Sequence, residues 1–272
     1  MPQHEAWQLQ GDAAALYERH LVPAITAVWA ADLVERAAPA AGEGVLDLAC
    51  GTGIVARLAA ARMGSGEVIG LDINAPMLAV ARSLPAPPGV RVAWQEGSAV
   101  AIPLPEARVD LCLCQLGLQF FPDRAAALHE IARVLRHGGR LALSVYDAIE
   151  TTPLAHALAE ALDRRIGPGA SATKRAEHEL SDPAVLRGLA MAAGFHDISV
   201  RRVTQTIRFP SAALYARIQL TATPLAALAA GLGETARERL ADAIAGDIAA
   251  ALGSVDGEVV SPAGGLVLQA RR

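Results

Sequence analysis

The amino-acid sequence predicts an α/β fold, a three-layer sandwich in which a mostly parallel sheet carries helices on both faces. Short apolar runs, typical of buried strands, alternate along the chain with segments of helical apolar periodicity. The first run leads through a glycine turn into a helix, and the second ends in Asp72. Ligands of such sheets bind outside the carboxyl ends of the strands. The residues that follow each strand are therefore the candidates for a functional site.

Residues 7–43, which precede the first strand, have apolar side chains at intervals of three and four. This spacing predicts amphipathic helices packed on the domain. Pro23 lies within the pattern, and we expect a break there because proline removes a backbone donor and crowds the preceding turn. Tyr17 belongs to the part before the break.

Residues 44–57 combine a short apolar strand, a turn of small residues and the start of a helix. This order places backbone N–H groups at a helix N-terminus, where a polar or anionic ligand group is favoured. Gly51 and Gly53 lack Cβ atoms, so we expect a ligand to approach the backbone of the turn closely. Asp47 lies in the strand just before the turn.

Two kinds of ligand fit this turn. Residues 51–56 match G-x-G-x-x-A, a form of the dinucleotide-binding fingerprint. The carboxylate of Asp47 would repel the pyrophosphate of a dinucleotide, whereas it is compatible with a cationic sulfonium ligand that carries an ammonium group. The charge therefore favours S-adenosylmethionine (SAM) over a dinucleotide. The alternative is that Asp47 only caps the helix or the turn.

Residues 67–72 form the second predicted strand, which ends in Asp72. A carboxylate at this strand end can accept hydrogen bonds from both ribose hydroxyls, and this fits either ligand. Asn74 is the candidate N-cap of the helix that follows. The third predicted strand, residues 90–95, leads into the short polar segment 96–99.

Two further strands are predicted at residues 109–115 and 140–146. The helix between them should end in a glycine C-cap at residues 137–139. Gln115 ends the earlier strand and Gln119 lies in the loop after it, so both amides are candidates for ligand contacts. Hydrogen bonding within the loop is the alternative role for both.

Beyond residue 146 the pattern is less specific. It predicts a capped helix, a strand, a final hairpin-like strand and two helical insertions between these elements. The corresponding residues are 181–194 for the helix, 196–203 for the strand, 259–260 with 265–270 for the final strand, and 149–180 and 211–252 for the insertions.

Composition limits the class of protein. The length of 272 residues is compatible with one large domain, and the net charge of −4 argues against nucleic acid as the main partner. No apolar run is long enough to predict a membrane span, and no secretory signal is visible, so we expect a cytoplasmic protein. Cys50, Cys112 and Cys114 have no spacing typical of a metal site and should be free, buried thiols.

Residues 47–53, Asp-Leu-Ala-Cys-Gly-Thr-Gly, resemble the first motif of the class I SAM-dependent methyltransferases, with Ala49 in place of that family's first glycine. Residues 121–140 resemble its small-molecule branch, which includes the quinone-biosynthesis methyltransferases. The resemblance covers about residues 40–146. It implies a Rossmann-like sheet of seven strands, whose last strand runs antiparallel at or near an edge, and SAM as the cofactor.

The resemblance also implies roles for individual residues. Asp72 should hold the ribose of SAM, with Ile73 and Met77 against the adenine, while Gln119 and Tyr146 should anchor the methyl acceptor. The complete set of implied cofactor-binding residues is Tyr17, Asp47, Ala49, Gly51, Thr52, Gly53, Asp72, Ile73, Met77, Gly97, Ser98, Ala99 and Gln115.

No catalytic residue is assigned from the sequence, because a general base is needed only for a protonated acceptor of high pKa. The candidates are His4, His20, His129, His156, His178, Tyr146 and Glu150. His129 lies in the middle of a helix and should be structural. His156 and His178 lie in the first insertion, where a surface position is the simpler expectation.

Together these features predict a single methyltransferase domain over residues 1–272, with a helical cap (1–43), a SAM-binding core (44–147) and two lid insertions (149–180 and 211–252). Its expected activity is transfer of a methyl group to O, N or C of a small apolar or aromatic metabolite. A NAD(P)-dependent oxidoreductase and a non-catalytic SAM-binding protein remain alternatives. The added helices alternatively thicken the core or form the face of a homodimer.

Overall fold

The computed structural model describes residues 12–253 and 257–272. Its centre is a seven-stranded sheet in the order β3-β2-β1-β4-β5-β7-β6. The strands are β1 (Gly44–Leu48), β2 (Gly66–Asp72), β3 (Val90–Glu96), β4 (Val109–Gln115), β5 (Leu135–Tyr146), β6 (His196–Phe209) and β7 (Val259–Arg271). The first five strands are parallel, whereas β7 runs antiparallel to both of its neighbours, β5 and β6. The predicted α/β class and the mostly parallel sheet are therefore confirmed.

Helices cover both faces of the sheet. They are α1 (Ala13–Leu16), a π-helix (Tyr17–Thr26), α2 (Ala27–Ala37), α3 (Ile54–Met63), α4 (Ala75–Ser83), α5 (Arg124–Val134), α6 (Pro153–Arg165), α7 (Ala172–Ala176), α8 (Pro183–Ala192), α9 (Ala212–Ala222) and α10 (Glu234–Leu252). Helices α2 and α3 pack on one face, and α5 and α8 pack on the other.

The apolar run of β1 is buried on both sides, as its composition predicts. Val45 packs in the cluster that contains α2 and α3, whereas Leu46 and Leu48 pack in the cluster that contains α5 and α8. Cys112 and Cys114 alternate along β4 and lie together in this second cluster as free thiols. Because alternate side chains of β1 enter two separate clusters, both faces of the strand are buried.

The N-terminal helix differs from the prediction. The chain does not break at Pro23 but continues from α1 through a π-helical segment into α2. Proline crowds the carbonyl of the preceding α-helical turn, and the wider π turn relieves that conflict while the chain remains helical. The part of the predicted helix at residues 7–11 lies outside the described residues.

The prediction of a glycine C-cap at residues 137–139 is also wrong. Helix α5 ends at Val134, where Leu135 is already extended, and the following residues belong to β5. The main-chain atoms of the glycines pair with the C-terminus instead: the amide of Gly138 donates to the carbonyl of Arg272, and the amide of Arg272 donates to the carbonyl of Gly139, each at 2.9 Å.

Strand β6 extends to Phe209, six residues beyond the predicted end (209 − 203), because it pairs with β7 along nearly its whole length. Strand β7 is one continuous strand rather than two pieces. Its place between β5 and β6, next to the sheet edge, agrees with the expected position near an edge.

The ring of Trp94 in β3 packs against the backbone of β2 and of the turn after β1. A Cβ atom at Gly70 in β2 would overlap the ring, and so would a Cβ atom at Gly53 in the turn after β1. We therefore predict that Gly70→Ala lowers the free energy of unfolding by about 1–3 kcal/mol, the usual cost of overpacking a filled site. Urea denaturation measures this value.

Gly188→Ala is the matched control. Gly188 lies inside α8, and a Cβ atom there would meet open space. Since alanine is a better helix former than glycine, this variant should be more stable by about 0.5–1 kcal/mol. Equal stability of Gly70→Ala and the wild-type protein would contradict the packing described for Trp94.

Candidate functional site

A central cavity of about 410 Å³ opens at the carboxyl ends of β1, β2, β4 and β5. Of the fifteen residues predicted to form the site, thirteen line this cavity. They are Tyr17, Asp47, Ala49, Gly51, Thr52, Asp72, Ile73, Met77, Gly97, Ser98, Ala99, Gln115 and Tyr146. The two exceptions are Gly53 and Gln119.

The glycine turn after β1 has an unusual backbone. Ala49, Gly51 and Gly53 have φ angles of 57°, 55° and 85°, in the left-handed region that side chains disfavour. The turn is held by two hydrogen bonds: the amide of Cys50 donates to the carbonyl of Leu71 (3.0 Å), and the amide of Gly53 donates to the carbonyl of Cys50 (2.8 Å). The turn is therefore fixed both to itself and to the neighbouring strand β2.

Gly51 and Gly53 have different surroundings. A Cβ atom at Gly51 would meet no protein atom within 4 Å, and Gly51 lines the cavity. A Cβ atom at Gly53 would overlap Trp94, and Gly53 does not line the cavity. The expectation that both glycines make room for a ligand is therefore corrected: Gly53 makes room for a tryptophan ring.

Asp72 joins the turn to the end of β2. Its Oδ2 atom accepts a hydrogen bond from the amide of Gly51 (2.7 Å), and its Oδ1 atom accepts one from the amide of Asn74 (2.8 Å). Burial raises the pKa of Asp72, and backbone hydrogen bonds from Asn74, Gly51 and Ile73 oppose this rise. Each carboxylate oxygen has a second lone pair, so the group can still accept hydrogen bonds from a ligand.

Asp47 lies beneath the turn, with only 1% of its surface exposed. Its Oδ2 atom accepts a hydrogen bond from the amide of Ala56 (2.9 Å), in the first turn of α3. Burial raises the pKa of Asp47 to about 8. The helix-capping role considered from the sequence is thus present, and a cationic ligand group would also stabilise the ionised carboxylate.

The wall formed after β2 and β3 suits a flat apolar group. Ile73 is exposed by 44%, whereas Met77 is buried, and both side chains line the cavity. The Oδ1 atom of Asn74 accepts a hydrogen bond from the amide of Met77 (3.2 Å), which confirms the predicted N-cap of α4. Ser98 accepts a hydrogen bond from the amide of Val100 (3.4 Å) at the adjoining strand end.

The two glutamines after β4 have different positions. Gln115 lines the cavity, and its Nε2 atom donates to the carbonyl of Thr26 (3.0 Å), so it ties the strand end to the N-terminal helix. Gln119 is buried behind the wall, and neither of its amide atoms has a partner among the described residues. The predicted acceptor contact of Gln119 is corrected, because Phe120 and Phe121 line the cavity there.

The side of the cavity opposite the sheet comes from the N-terminal helices and both insertions. Residues 149–180 contribute Lys174, Glu177 and His178, among others, and residues 211–252 contribute Tyr215, Gln219 and Thr223. The sequence analysis did not select five of these six side chains. Tyr215 and Gln219 lie one helical turn apart, and this spacing is the sequence signal that could have placed both on one face of a helix.

The apolar stripe of α6 packs against another helix. Leu154, Leu158 and Leu162 are fully buried in a cluster that includes Ile244 and Ile248 of α10. None of these three leucines lines the cavity, to which α6 contributes only Ala155.

His178 is buried rather than at the surface. Its ring stacks on that of Tyr146, with centroids 4.9 Å apart, and its Nδ1 atom lies 2.7 Å from the carbonyl oxygen of Asp147. Burial lowers the pKa of His178 to about 4. The neighbouring Lys174 and Glu177 form a buried ion pair at 2.7 Å.

The other candidate bases lie elsewhere. His20, His129, His156 and Glu150 do not line the cavity, and His4 lies outside the described residues. The Nδ1 atom of His129 bonds to the carbonyl of Ala125 in its own helix, as a structural role predicts. Within residues 12–253 and 257–272 there is no cluster of side chains suited to a metal ion and no helix long and apolar enough to cross a membrane.

Comparisons with known proteins agree with this geometry. Residues 45–139 match a family model described as a methyltransferase domain. The chain is 33% identical over 180 residues to a 2-phytyl-1,4-naphtoquinone methyltransferase of Synechococcus elongatus, a match that covers 62% of this chain and 77% of that protein. It is 39% identical over 113 residues to a demethylmenaquinone methyltransferase of Thermus thermophilus, which covers 42% of this chain and only 51% of that protein.

Solved structures share the fold at low sequence identity. A phosphoethanolamine N-methyltransferase 2 of Haemonchus contortus, in complex with S-adenosylhomocysteine, has a TM-score of 0.56 at 20% identity, covering 89% of this chain and 52% of that chain. The [4+2]-cyclase SpnF has a TM-score of 0.53 at 18% identity, covering 89% and 79%. These likenesses concern the fold alone.

The family model covers the glycine turn, Asp72 and the strand ends around the cavity, and the similarity to the Synechococcus enzyme extends well beyond that segment. The chain belongs to the class I SAM-dependent methyltransferases, in their small-molecule branch.

Proposed function

We propose that this protein transfers the methyl group of SAM to an oxygen, nitrogen or carbon atom of a small molecule with an apolar or aromatic body. The observation that carries the proposal is one continuous cavity, which joins the glycine turn and Asp72 to a chamber beneath the added helices. Cofactor and acceptor can therefore meet within it. The relatives named as quinone-type methyltransferases support an aromatic acceptor.

We propose that the sheet side of the cavity is the SAM site. The methionine end would lie on the turn at Gly51, near the carboxylate of Asp47, and the ribose hydroxyls would bond to Asp72. The adenine would lie between Ile73 and Met77. Support comes from the free lone pairs of Asp72 and from the open space above Gly51.

We propose that the segments 1–43, 149–180 and 211–252 provide the acceptor side, as lid elements of one domain. In the described parts of these segments, side chains from all three line the same cavity. The reaction needs little from the protein beyond alignment, because the methyl carbon of SAM is already activated by the sulfonium charge. Proximity and orientation can then supply most of the rate.

Two measurements test this function. Calorimetry should detect binding of SAM and S-adenosylhomocysteine but not of NAD. Transfer of a labelled methyl group to a panel of phenols, quinols and amines should identify an acceptor class. SAM binding without transfer to any member of the panel would instead support a SAM-binding protein without methyltransferase activity. The fold does not distinguish these two functions, because it is shared with the [4+2]-cyclase SpnF.

Asp72→Asn should weaken SAM binding by about ten- to a hundredfold, because it removes a charged acceptor from the ribose hydroxyls, and hydrogen bonds to charged groups contribute about 1.5–3 kcal/mol. Calorimetric titration gives the dissociation constant. Thermal unfolding without SAM checks that the turn held by Asp72 remains intact.

Glu96→Gln is the control for this variant. Glu96 is the register partner of Asp72 at the end of the adjacent strand, but it is exposed and does not line the cavity. Its substitution should leave SAM affinity unchanged. If both variants bind SAM as the wild-type protein does, Asp72 is not the ribose ligand.

Gly51→Val should abolish SAM binding, since its branched side chain would project into the cavity that the ligand needs. Gly42→Val is a matched control: Gly42 also has a positive φ (85°) and open space around its Cβ position, but it does not line the cavity. Both variants suffer similar backbone strain. Thermal melts with and without SAM compare them, because a bound ligand raises the midpoint.

Of the two variants, only Gly42→Val should still show the rise in the midpoint of thermal unfolding that SAM produces in the wild-type protein. A shift of wild-type size in Gly51→Val would mean that the turn does not contact the cofactor.

A further inference from the structure

The acceptor side of the cavity contains polar groups without protein partners. The hydroxyls of Tyr146 and Tyr215 form no hydrogen bond with any described residue. Gln219 is 2% exposed and lines the cavity, and its Oε1 atom is buried without a partner in the described structure. Buried polar groups such as this amide oxygen are nearly always hydrogen-bonded, so a ligand with polar substituents suits this side of the cavity better than a wholly apolar one.

His178 lines this chamber, and only one of its ring nitrogens has a partner among the described residues. A carbonyl oxygen can only accept, so the contact between Nδ1 and the carbonyl of Asp147 requires a hydrogen on Nδ1. The neutral ring then has its lone pair on Nε2, and Nε2 makes no hydrogen bond to any described residue. Burial keeps the pKa of His178 low, so the neutral ring persists at physiological pH. Nε2 is therefore a hydrogen-bond acceptor.

Contacts that involve several strands fix the orientation of the His178 ring. Asp147 donates its amide to the carbonyl of Gly264 (3.1 Å), and its Oδ2 atom accepts from Nε of Arg202 (2.8 Å). The ring of Tyr146 stacks on the face of the imidazole. The ring cannot turn Nδ1 away without leaving the Asp147 carbonyl unpaired, so Nε2 keeps its position.

We propose that Nε2 of His178 accepts a hydrogen bond from a hydroxyl group of the methyl acceptor and thereby favours phenols, quinols and related enols over analogues that lack a hydrogen-bond donor at this position. A quinone or an aryl ether has an oxygen without hydrogen and leaves Nε2 unpaired. The inference rests on the function proposed above, whose cofactor side it does not involve.

The test measures binding of two probes to the protein saturated with S-adenosylhomocysteine. 1-Naphthol carries the hydroxyl, and 1-methoxynaphthalene has the same ring without a donor. The wild-type complex should bind 1-naphthol at least tenfold more tightly, since an unpaired buried acceptor is costly. Calorimetry gives both constants.

Two variants test whether Nε2 of His178 causes the preference for 1-naphthol. The amide N–H of Asn in His178→Asn can take the place of Nδ1 toward Asp147 but supplies nothing at Nε2, so the preference for 1-naphthol should disappear. His178→Gln places an amide oxygen near the position of Nε2 and should restore part of the preference. His156→Asn is the control, because His156 is in the same insertion but 41% exposed at its side chain and outside the cavity.

The outcomes separate the two proposals. Failure of S-adenosylhomocysteine to bind the wild-type protein would contradict the proposed function. If it binds normally to all variants, the inference about His178 is overturned by any of three results: no binding of 1-naphthol, equal affinity of the wild-type complex for both probes, or an undiminished preference in His178→Asn.

Discussion

The site depends on the pair of hydrogen bonds that the carboxylate of Asp72 accepts from the amides of Gly51 and Asn74. One bond ties the turn after β1 to the end of β2, and the other fixes the start of the segment that leads into α4. Without them the left-handed turn would be held to β2 only by the bond from the amide of Cys50 to the carbonyl of Leu71. The same carboxylate is the group we propose for the ribose, so the residue that shapes the turn also lines the cavity.

A second junction, at Asp147, connects the sheet to the acceptor side. Its backbone and side chain bond to Gly264, Arg202 and His178, which belong to β7, to β6 and to the first insertion. The added helices are meanwhile held by apolar contacts among themselves, as between α6 and α10. Leucines and isoleucines thus pack these two helices together, while the polar side chains at the cavity come from other parts of the insertions, such as Lys174, His178 and Gln219.

The glycine-rich motif shows that one sequence signature can satisfy two physical requirements. Gly51 leaves open space at the cavity, whereas Gly53 accommodates the ring of Trp94 from another strand. Both have positive φ angles, so conformation alone does not distinguish them. Only the identity of the neighbouring atoms separates a position that lines the cavity from one that contacts the core.

The sequence by itself determined the α/β class, the first five strands and the strand-end residues Asp47, Gly51 and Asp72, because strand burial, turn chemistry and helix capping are encoded within a few residues. It did not determine where β6 ends, how the chain passes Pro23, or that Gln119 points away from the cavity. Nor did it place His178, whose burial depends on residues that are distant in sequence. The tertiary structure decided these features. The end of β6 and the burial of His178, for example, depend on contacts with residues distant in sequence, which local periodicity does not encode.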